Sequence, residues 1–557
     1  MSVEAQAEMP SGERHSERFV APEKTQHPIL SSDQSGSGGT LGKWLVVFLA
    51  AFALFAATAN RGAQWQDSGF HILRVVTGQS VNPLGLALSH PLHHWLGRLI
   101  VLPDLLEACL AVTLISALAG AAAVANVYGC VLTLTRSQWA SLLAAASLGL
   151  ANTFWQMATL AETYTLTAAL LSAECWCLVA YARANHAHSA RGSRYLWLMC
   201  LFNGLGISNH LLASLTTPVV AVVVLHSVWH KAAPSKHIAL ALCAWLAGSS
   251  LYGGMVLAEL MRSGDLQATI HSALFGHAYA GEVLNASLSP RLLLIGAGFV
   301  LLNFPNFLLP AAVYGIARAV PLGVPALSRR VLLAALAIHV CFAGRYNVTD
   351  QHMFFVPSYV LLSIFGGIGF ATMLRRWRPF SRRVGLTAVL LLLALTPVVY
   401  AFVPSVARGF GVLRSVAHHK PYRDDYVYLF IPWSVVEDSA ERMSRQAVAL
   451  TGNDGLILVE DPMAEFAVRY RALRNGLDDR QVTRSVTAGL IQRAVGEARR
   501  VVLVPLNADA PKTDAPVGSW KRIGDLYLLG DPPPPTPLGA APRTTTWGSL
   551  GAGHRAL

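Results

Sequence analysis

The sequence predicts an all-α polytopic membrane protein carrying a small C-terminal α/β domain. Three observations carry that prediction. Of 557 residues 53% are hydrophobic and only 13% charged, against about 25% charged in an average soluble domain. The apolar residues fall into runs long enough to cross a hydrocarbon core of roughly 30 Å, which takes about twenty residues. The last part of the chain instead alternates short aliphatic runs with amphipathic ones. The net charge of +12 excludes little by itself, but its Lys and Arg sit in short clusters between apolar runs. That is the pattern of orientation-setting loops, and no nucleic-acid partner is expected.

Residues 1–42 are polar and rich in Ser, Glu and Gly, and are expected to be a disordered cytoplasmic arm with no cleavable signal peptide. A transmembrane domain is expected over 43–404, with about eleven spans at 43–60, 106–134, 138–153, 163–182, 195–209, 211–229, 238–260, 292–317, 330–344, 353–374 and 384–404. Arg136; Arg183, Arg191 and Arg194; Lys231 and Lys236; Arg318, Arg329 and Arg330; and Arg375, Arg376, Arg378, Arg382 and Arg383 all fall in turns on one side. If that side is cytoplasmic, the N-terminus is inside and everything after about residue 405 is outside. The expected location is a bacterial plasma (inner) membrane, with membrane lipid as the first partner.

The tail holds Asp454–Glu460 and Arg499–Pro505, both strand-like, with helical spacing over 462–475 and 483–498 and a further strand-like run at Gly524–Gly530. This predicts an extracytoplasmic α/β domain over 405–530, followed by a disordered, proline-rich end at 531–557. The seven cysteines all lie in or beside apolar stretches, with neither disulfide nor zinc spacing.

Charged groups at membrane depth are costly, so their distribution is informative. Asp67, Glu162, Asn209, His210 and Asp350 all fall on the predicted outer side. For any one of them a polar helix end is an equal explanation, but their convergence points to an outer cavity for chemistry or transport. The first outer loop reads Gln64-Trp-Gln-Asp-Ser-Gly-Phe-His71 and later Ser89-His-Pro-Leu-His-His-Trp-Leu-Gly-Arg98. An acidic residue followed by His71, Arg74, His90, His93, His94 and Arg98 suits a carboxylate base beside a cationic phosphate site. For His93 and His94 an amphipathic interfacial helix with Trp95 as a belt residue is the favoured alternative. No metal-ligand spacing is evident, and a divalent-metal requirement stays open.

At these residues the chain resembles a family of GT-C glycosyltransferases, bacterial domain-of-unknown-function membrane proteins related to an animal O-mannosyltransferase of plexin-type receptors. The resemblance runs in order through Asp67-Ser-Gly69, Ser89-His-Pro91, Thr153–Leu166, Gly204–Leu211, Asp350–Tyr359 and Pro421–Tyr426. Two departures fall in the expected catalytic loop: Phe70 and His71 stand where the family has Glu, and Leu92–Trp95 replace its Pro-Gly-Tyr-Pro.

The resemblance implies transfer of a sugar, mannose among the candidates, from a polyprenyl-phosphate donor to a protein or envelope-glycan hydroxyl on the outer face. It implies Asp67 as general base and Glu162 as the second carboxylate. Arg74, Arg98 and Arg345 are candidates for the lipid phosphate, with His71, His90, Asn209, His210 and Asp350 as further substrate contacts. Tyr422, Arg423, Asp424 and Asp425 are expected to brace the tail or shape an acceptor path. A transporter or flippase, or an inactive scaffold left by the altered loop, are the alternatives; no internal repeat favours a transporter.

Overall fold

The computed structural model describes residues 37–186, 192–287, 289–320, 322–412, 419–497, 499–509 and 520–530. The expected arm before residue 37 and the end at 531–557 lie outside them. The helices run α1 Ser37–Ala57, α2 Gln66–Thr77, α3 Pro91–Val101, α4 Ala108–Thr135, α5 Gln138–Gly149, α6 Asn152–Thr159, α7 Tyr164–His186, α8 Ser193–Asn209, α9 Thr217–Trp229, α10 Ser235–Ser263, α11 Leu266–Phe275, α12 Ala280–Leu284, α13 Pro290–Asn303, α14 Leu308–Arg318, α15 Ala326–Arg345, α16 Val356–Arg376 and α17 Pro379–Gly409.

Among the described residues seven of these, α1, α4, α7, α10, α15, α16 and α17, are long and apolar enough to cross a membrane singly; α13 and α14 qualify only as a pair bent by 103°. Each of the eleven expected segments contains helix, but α5, α8 and α9 fall short of a span by length, and three of the segments are not single straight helices. The stretch 138–153 is α5 followed by the start of the short α6, whose Asn152, Gln156 and Thr159 donate to carbonyls of Phe430, Tyr428 and Pro432 in the tail. At 211–229 a 3-10 turn, Leu211–Leu215, precedes α9. The break between α13 and α14 falls at Phe304-Pro-Asn-Phe307, where Pro305 has no N–H to donate and disfavours helix at Phe304. Asn303 fills the break, donating to Thr153 Oγ1 and Tyr359 Oη at 3.0 Å each.

Burial separates centre from rim. In α4, α7 and α16 the apolar windows are 78%, 72% and 83% buried, whereas in α1, α10 and α17 they are 11%, 22% and 22%. The rim helices present Leu, Val and Phe outward, as a lipid-facing surface requires. Small residues let the centre close up: a Cβ on Gly129 of α4 would fall 2.7 Å from the Trp176 ring of α7. At one end of the bundle Arg375 donates to the Thr135 carbonyl at 2.7 Å and Arg183 to that of Leu134. Arg376 donates to Tyr314 near the end of α14. The basic groups thus gather at the end opposite the carboxylates described below.

After α17 come α18 Asp425–Phe430, α19 Ser439–Thr451, β1 Leu456–Val459, α20 Pro462–Arg474, β2 Val482–Thr483, α21 Ala488–Gly496, β3 Val501–Val504, β4 Trp520–Ile523 and β5 Leu526–Leu529. The sheet order is β2-β1-β3-β5-β4, parallel across β2, β1 and β3 and antiparallel at β5 and β4. The three expected strands are β1, β3 and β5; α19, β2 and β4 are additional. Strand alternation sorts the side chains. Ile457, Val459, Val502 and Val504 pack with α19 and α20, while Leu456, Leu458, Val501 and Leu503 pack with α21.

The first of these cores does not stop at the module. It continues through Ala63, Trp65, Ile72, Val75 and Val76 of the first loop and Cys109 and Val112 of α4. Helix α2 is therefore wedged between bundle and module, and both surfaces fix its position.

Candidate functional site

Helix α2 sets out the site. Asp67, His71 and Arg74 stand at i, i+4 and i+7, which is one face of a helix. The helix ends on Gly78, whose φ of +79° lets its N–H return to the Arg74 carbonyl at 2.9 Å. It begins on Gln66, a non-glycine residue at φ +53°, a conformation that persists only where the surroundings enforce it.

Asp67 remains exposed to solvent, and the protein packed around its carboxyl raises it above the ordinary value by desolvation. Glu162, in the turn between α6 and α7, is 4% exposed. It accepts from Ser68 Oγ at 2.6 Å, and its main chain exchanges hydrogen bonds with the Ser116 hydroxyl. Burial, then the negative charges of Asp67 and Asp350, push Glu162 up to about 8. Asp350, between α15 and α16, is raised to about 6 by burial and by Asp67. Three acidic groups from distant parts of the chain thus share one field.

Beside them lies a group of imidazoles. The His71 ring is 5.5 Å from His90 and 5.2 Å from His93, and His90 is 4.7 Å from His210. His90 sits at φ +49° and pairs its Nδ1 with the Asn209 carbonyl at 2.8 Å. Burial, and then neighbouring positive charge, lowers His90 to about 4 and His93 to about 3. At neutral pH these rings are uncharged, each with one donor and one acceptor. His93 Nε2 and Asn209 Oδ1 are buried without a partner. Tyr164 links the two groups: its ring is 5.2 Å from His210 and 5.6 Å from Phe354, and Phe354 lies 4.6 Å from Tyr346.

The structure therefore brings Asp67, His71, Arg74, His90, Glu162, Asn209, His210 and Asp350 into one region. The three arginines are engaged by backbone. Arg74, 1% exposed, donates to the carbonyls of Gln79, Ser80 and Ser89. Arg98 donates to those of Val75 and Val76 at the end of α2, and Arg345 to that of Asn285. On α3 Trp95 is 51% exposed, whereas His93 and His94, expected on an interfacial helix, are 1% and 3% exposed, with His93 against His71. The Phe70 ring packs 4.4 Å from that of Phe466 of α20. Among the described residues no three His, Cys, Asp or Glu side chains are grouped to hold a metal ion.

Two features had no sequence signal. The loop at 276–285 lies against the loop at 82–88. A Cβ on Gly85 would fall 2.6 Å from Gly276 Cα, and His277 N–H donates to the Leu84 carbonyl at 2.8 Å. Glu174, 7% exposed within α7, accepts from Asn203 at 3.1 Å and Thr216 at 3.3 Å, away from the other three carboxylates.

Residues 85–233 match the model of the protein O-mannosyl-transferase TMEM260 N-terminal domain. That segment contains His90, Glu162, Asn209 and His210, while Asp67 precedes it and Asp350 follows it. No curated protein matches the chain. ArnT from Cupriavidus metallidurans in the apo state is similar at TM-score 0.58 and 16% identity, over 88% of this chain and 98% of that one. ArnT bound to undecaprenyl phosphate is similar at 0.53 and 15%, with the same coverage. The archaeal oligosaccharyltransferase AglB from Archaeoglobus fulgidus, in complex with an inhibitory peptide and a dolichol-phosphate, gives 0.46 and 11%, over 83% of this chain and 69% of that one. The chain thus has the fold of ArnT over most of its length, and within it residues 85–233 match the TMEM260 N-terminal domain.

Proposed function

We propose that this protein is a glycosyltransferase that moves a sugar from a polyprenyl-phosphate donor to a hydroxyl of a protein or envelope glycan. The observation that carries the reading is the row on α2, with the exposed Asp67 at one end, the buried Arg74 at the other, and His71 between them grouped with the His90 and His93 imidazoles. Undecaprenyl phosphate bound to the structurally similar ArnT supports a lipid-linked donor. The resemblance to O-mannosyl-transferases favours mannose.

In the proposed step Asp67 accepts the proton of the acceptor hydroxyl as that oxygen attacks the anomeric carbon. The new C–O bond forms while the bond from that carbon to the phosphate oxygen breaks, and polyprenyl phosphate leaves with the electron pair. Imidazole N–H groups of His71 and His210 would hydrogen-bond the phosphate, with the Arg74 charge behind them, while His90, whose one N–H is taken by the Asn209 carbonyl, holds the group in place. Arg98 and Arg345, occupied by carbonyls, shape the rim. Asp350 and the Tyr164, Tyr346 and Phe354 rings would hold the sugar. On this reading the carboxylate end of the bundle and the module at 405–530 face outward from a bacterial plasma membrane, with the N-terminus in the cytoplasm.

Glu162 is assigned a neutral role. With its carboxyl at about 8, it is protonated at pH 7 and holds Ser68, and through it the first turn of α2. Glu162→Gln is expected to keep transfer at pH 7 within about threefold, because the amide mimics the acid. The stability sign follows. Between the ordinary 4.5 and about 8 the native state holds a proton that the unfolded state lacks, so this contribution falls as pH rises. Melting curves from pH 5 to 8.5 should slope downward in the wild type and flatten in the variant. A large rate loss at pH 7 would instead mean that the ionised form is the working one.

The function is tested by mass spectrometry of envelope proteins and glycans from cells with and without this chain. A hexose-sized difference on particular peptides or glycans is expected. Identical spectra would sink the reading.

A further inference from the structure

The part of the C-terminal module that follows the last membrane helix packs against the segment carrying Asp67. Val435 N–H donates to the Thr58 carbonyl at 2.9 Å, and Asn60 Nδ2 donates to the Ser434 and Glu437 carbonyls. Ala63 N–H donates to Glu441 at 2.8 Å, and Trp65 Nε1 to Ser439 Oγ at 2.8 Å. The loop leading to Asp67 is therefore tied to the tail every few residues.

Tyr428 stands at the centre of this arrangement. Its hydroxyl donates to Gln66 Oε1 at 3.1 Å, and Gln66 Nε2 reaches Met463 Sδ at 3.1 Å. Gln66 is thus gripped at both ends of its amide by residues of the tail, and it is the residue at φ +53° immediately before Asp67. The Tyr428 carbonyl in turn accepts from Gln156 of α6 at 2.7 Å, the helix that leads to Glu162. Its ring is backed by the Arg423 guanidinium, 4.4 Å from its centroid and 4.9 Å from that of Trp65. Arg423 is itself paired with Asp425 at 2.7 Å. One residue of the tail therefore touches the segments that carry both Asp67 and Glu162.

We propose that Tyr428 is a positioning residue for the transfer step: acting through Gln66, it fixes where the Asp67 carboxylate stands, so that the C-terminal module completes the catalytic centre. This rests on the glycosyl-transfer reading above. Tyr428 does not act on the proton itself. A carboxylate displaced by about 1 Å loses up to about a hundredfold in rate while the donor binds as before.

The test uses the full-length protein in lipid nanodiscs, with undecaprenyl-phosphate mannose as donor probe and the native envelope fraction as acceptor, following release of undecaprenyl phosphate. Tyr428→Phe is expected to lower kcat about 10- to 100-fold with the donor KM within about twofold. Gln66→Ala should do the same, and the double variant should be no worse than either single one. Tyr527→Phe, which removes a module hydroxyl bonded to the Ala508 carbonyl, serves as the control with unchanged kcat. Unchanged kcat in Tyr428→Phe, or losses that multiply in the double variant, overturns the proposal. If Tyr428→Phe does not fold, Gln66→Ala decides on the same kcat and KM criteria. Wild-type protein that releases nothing defeats the transferase reading itself, whereas active wild type with an indifferent Tyr428→Phe defeats only the positioning role.

Discussion

Asp67→Asn is expected to abolish sugar transfer, lowering kcat by about 10²- to 10⁴-fold, the usual contribution of a positioned proton acceptor. The amide keeps the size of the side chain and its place on α2, so loss of fold does not account for the effect. Donor binding, measured with undecaprenyl phosphate, should stay within about twofold, because Asp67 offers no donor to a phosphate and stands at the opposite end of the α2 row from Arg74. The pH profile is the sharper readout. In the wild type the rate should climb with pH as Asp67 ionises, at a pH above its ordinary 3.8 because burial raises its carboxyl. Asp67→Asn should lose that limb together with the activity. A variant that keeps the rate and the limb would move the role of base to another group, with Asp350, at about 6, next in line.

The parts of this arrangement visible in the sequence are those with local spacing. Asp67, His71 and Arg74 announce one helical face, and the apolar runs announce the bundle. Proline-based punctuation at Pro305 also precedes the break of α13 from α14, although periodicity alone made 292–317 one span. What spacing cannot give is which cation meets a ligand and which meets backbone. Arg98 and Arg345 look like phosphate ligands until the Val75, Val76 and Asn285 carbonyls are seen beside them. The same holds for His93: its neighbour Trp95 faces outward on the same helix, and only the packing against His71 shows that α3 has a polar inner side. Tyr428 was invisible, since its partner Gln66 lies on the far side of the whole membrane domain in sequence and no periodicity relates the two.

Arg74→Ala is expected to damage the fold as well as the chemistry. Its guanidinium is buried, is lowered to about 10 by that burial, and so remains charged at neutral pH. It satisfies carbonyls of Gln79, Ser80 and Ser89 from one planar fork, closing the loop from α2 back to His90. Truncation strands the buried Ser89 carbonyl, at about 1–3 kcal/mol, and gives up the part-buried bonds to Gln79 and Ser80, at about 0.5–1.5 kcal/mol each, so a total loss of roughly 2–6 kcal/mol follows. Ser89 is the residue before His90, whose φ of +49° depends on that closure. The imidazoles should therefore scatter when the loop opens, and affinity for undecaprenyl phosphate should fall with the melting temperature. Lysine should recover little of either, because an ammonium cannot meet several carbonyls in the geometry a guanidinium fork provides. Thermal melts and lipid-phosphate binding, run side by side on Arg74→Ala and Arg74→Lys, separate this from a simple ligand role. A ligand alone would lose binding with the melt unmoved, and that pattern would show that the loop holds itself together without Arg74.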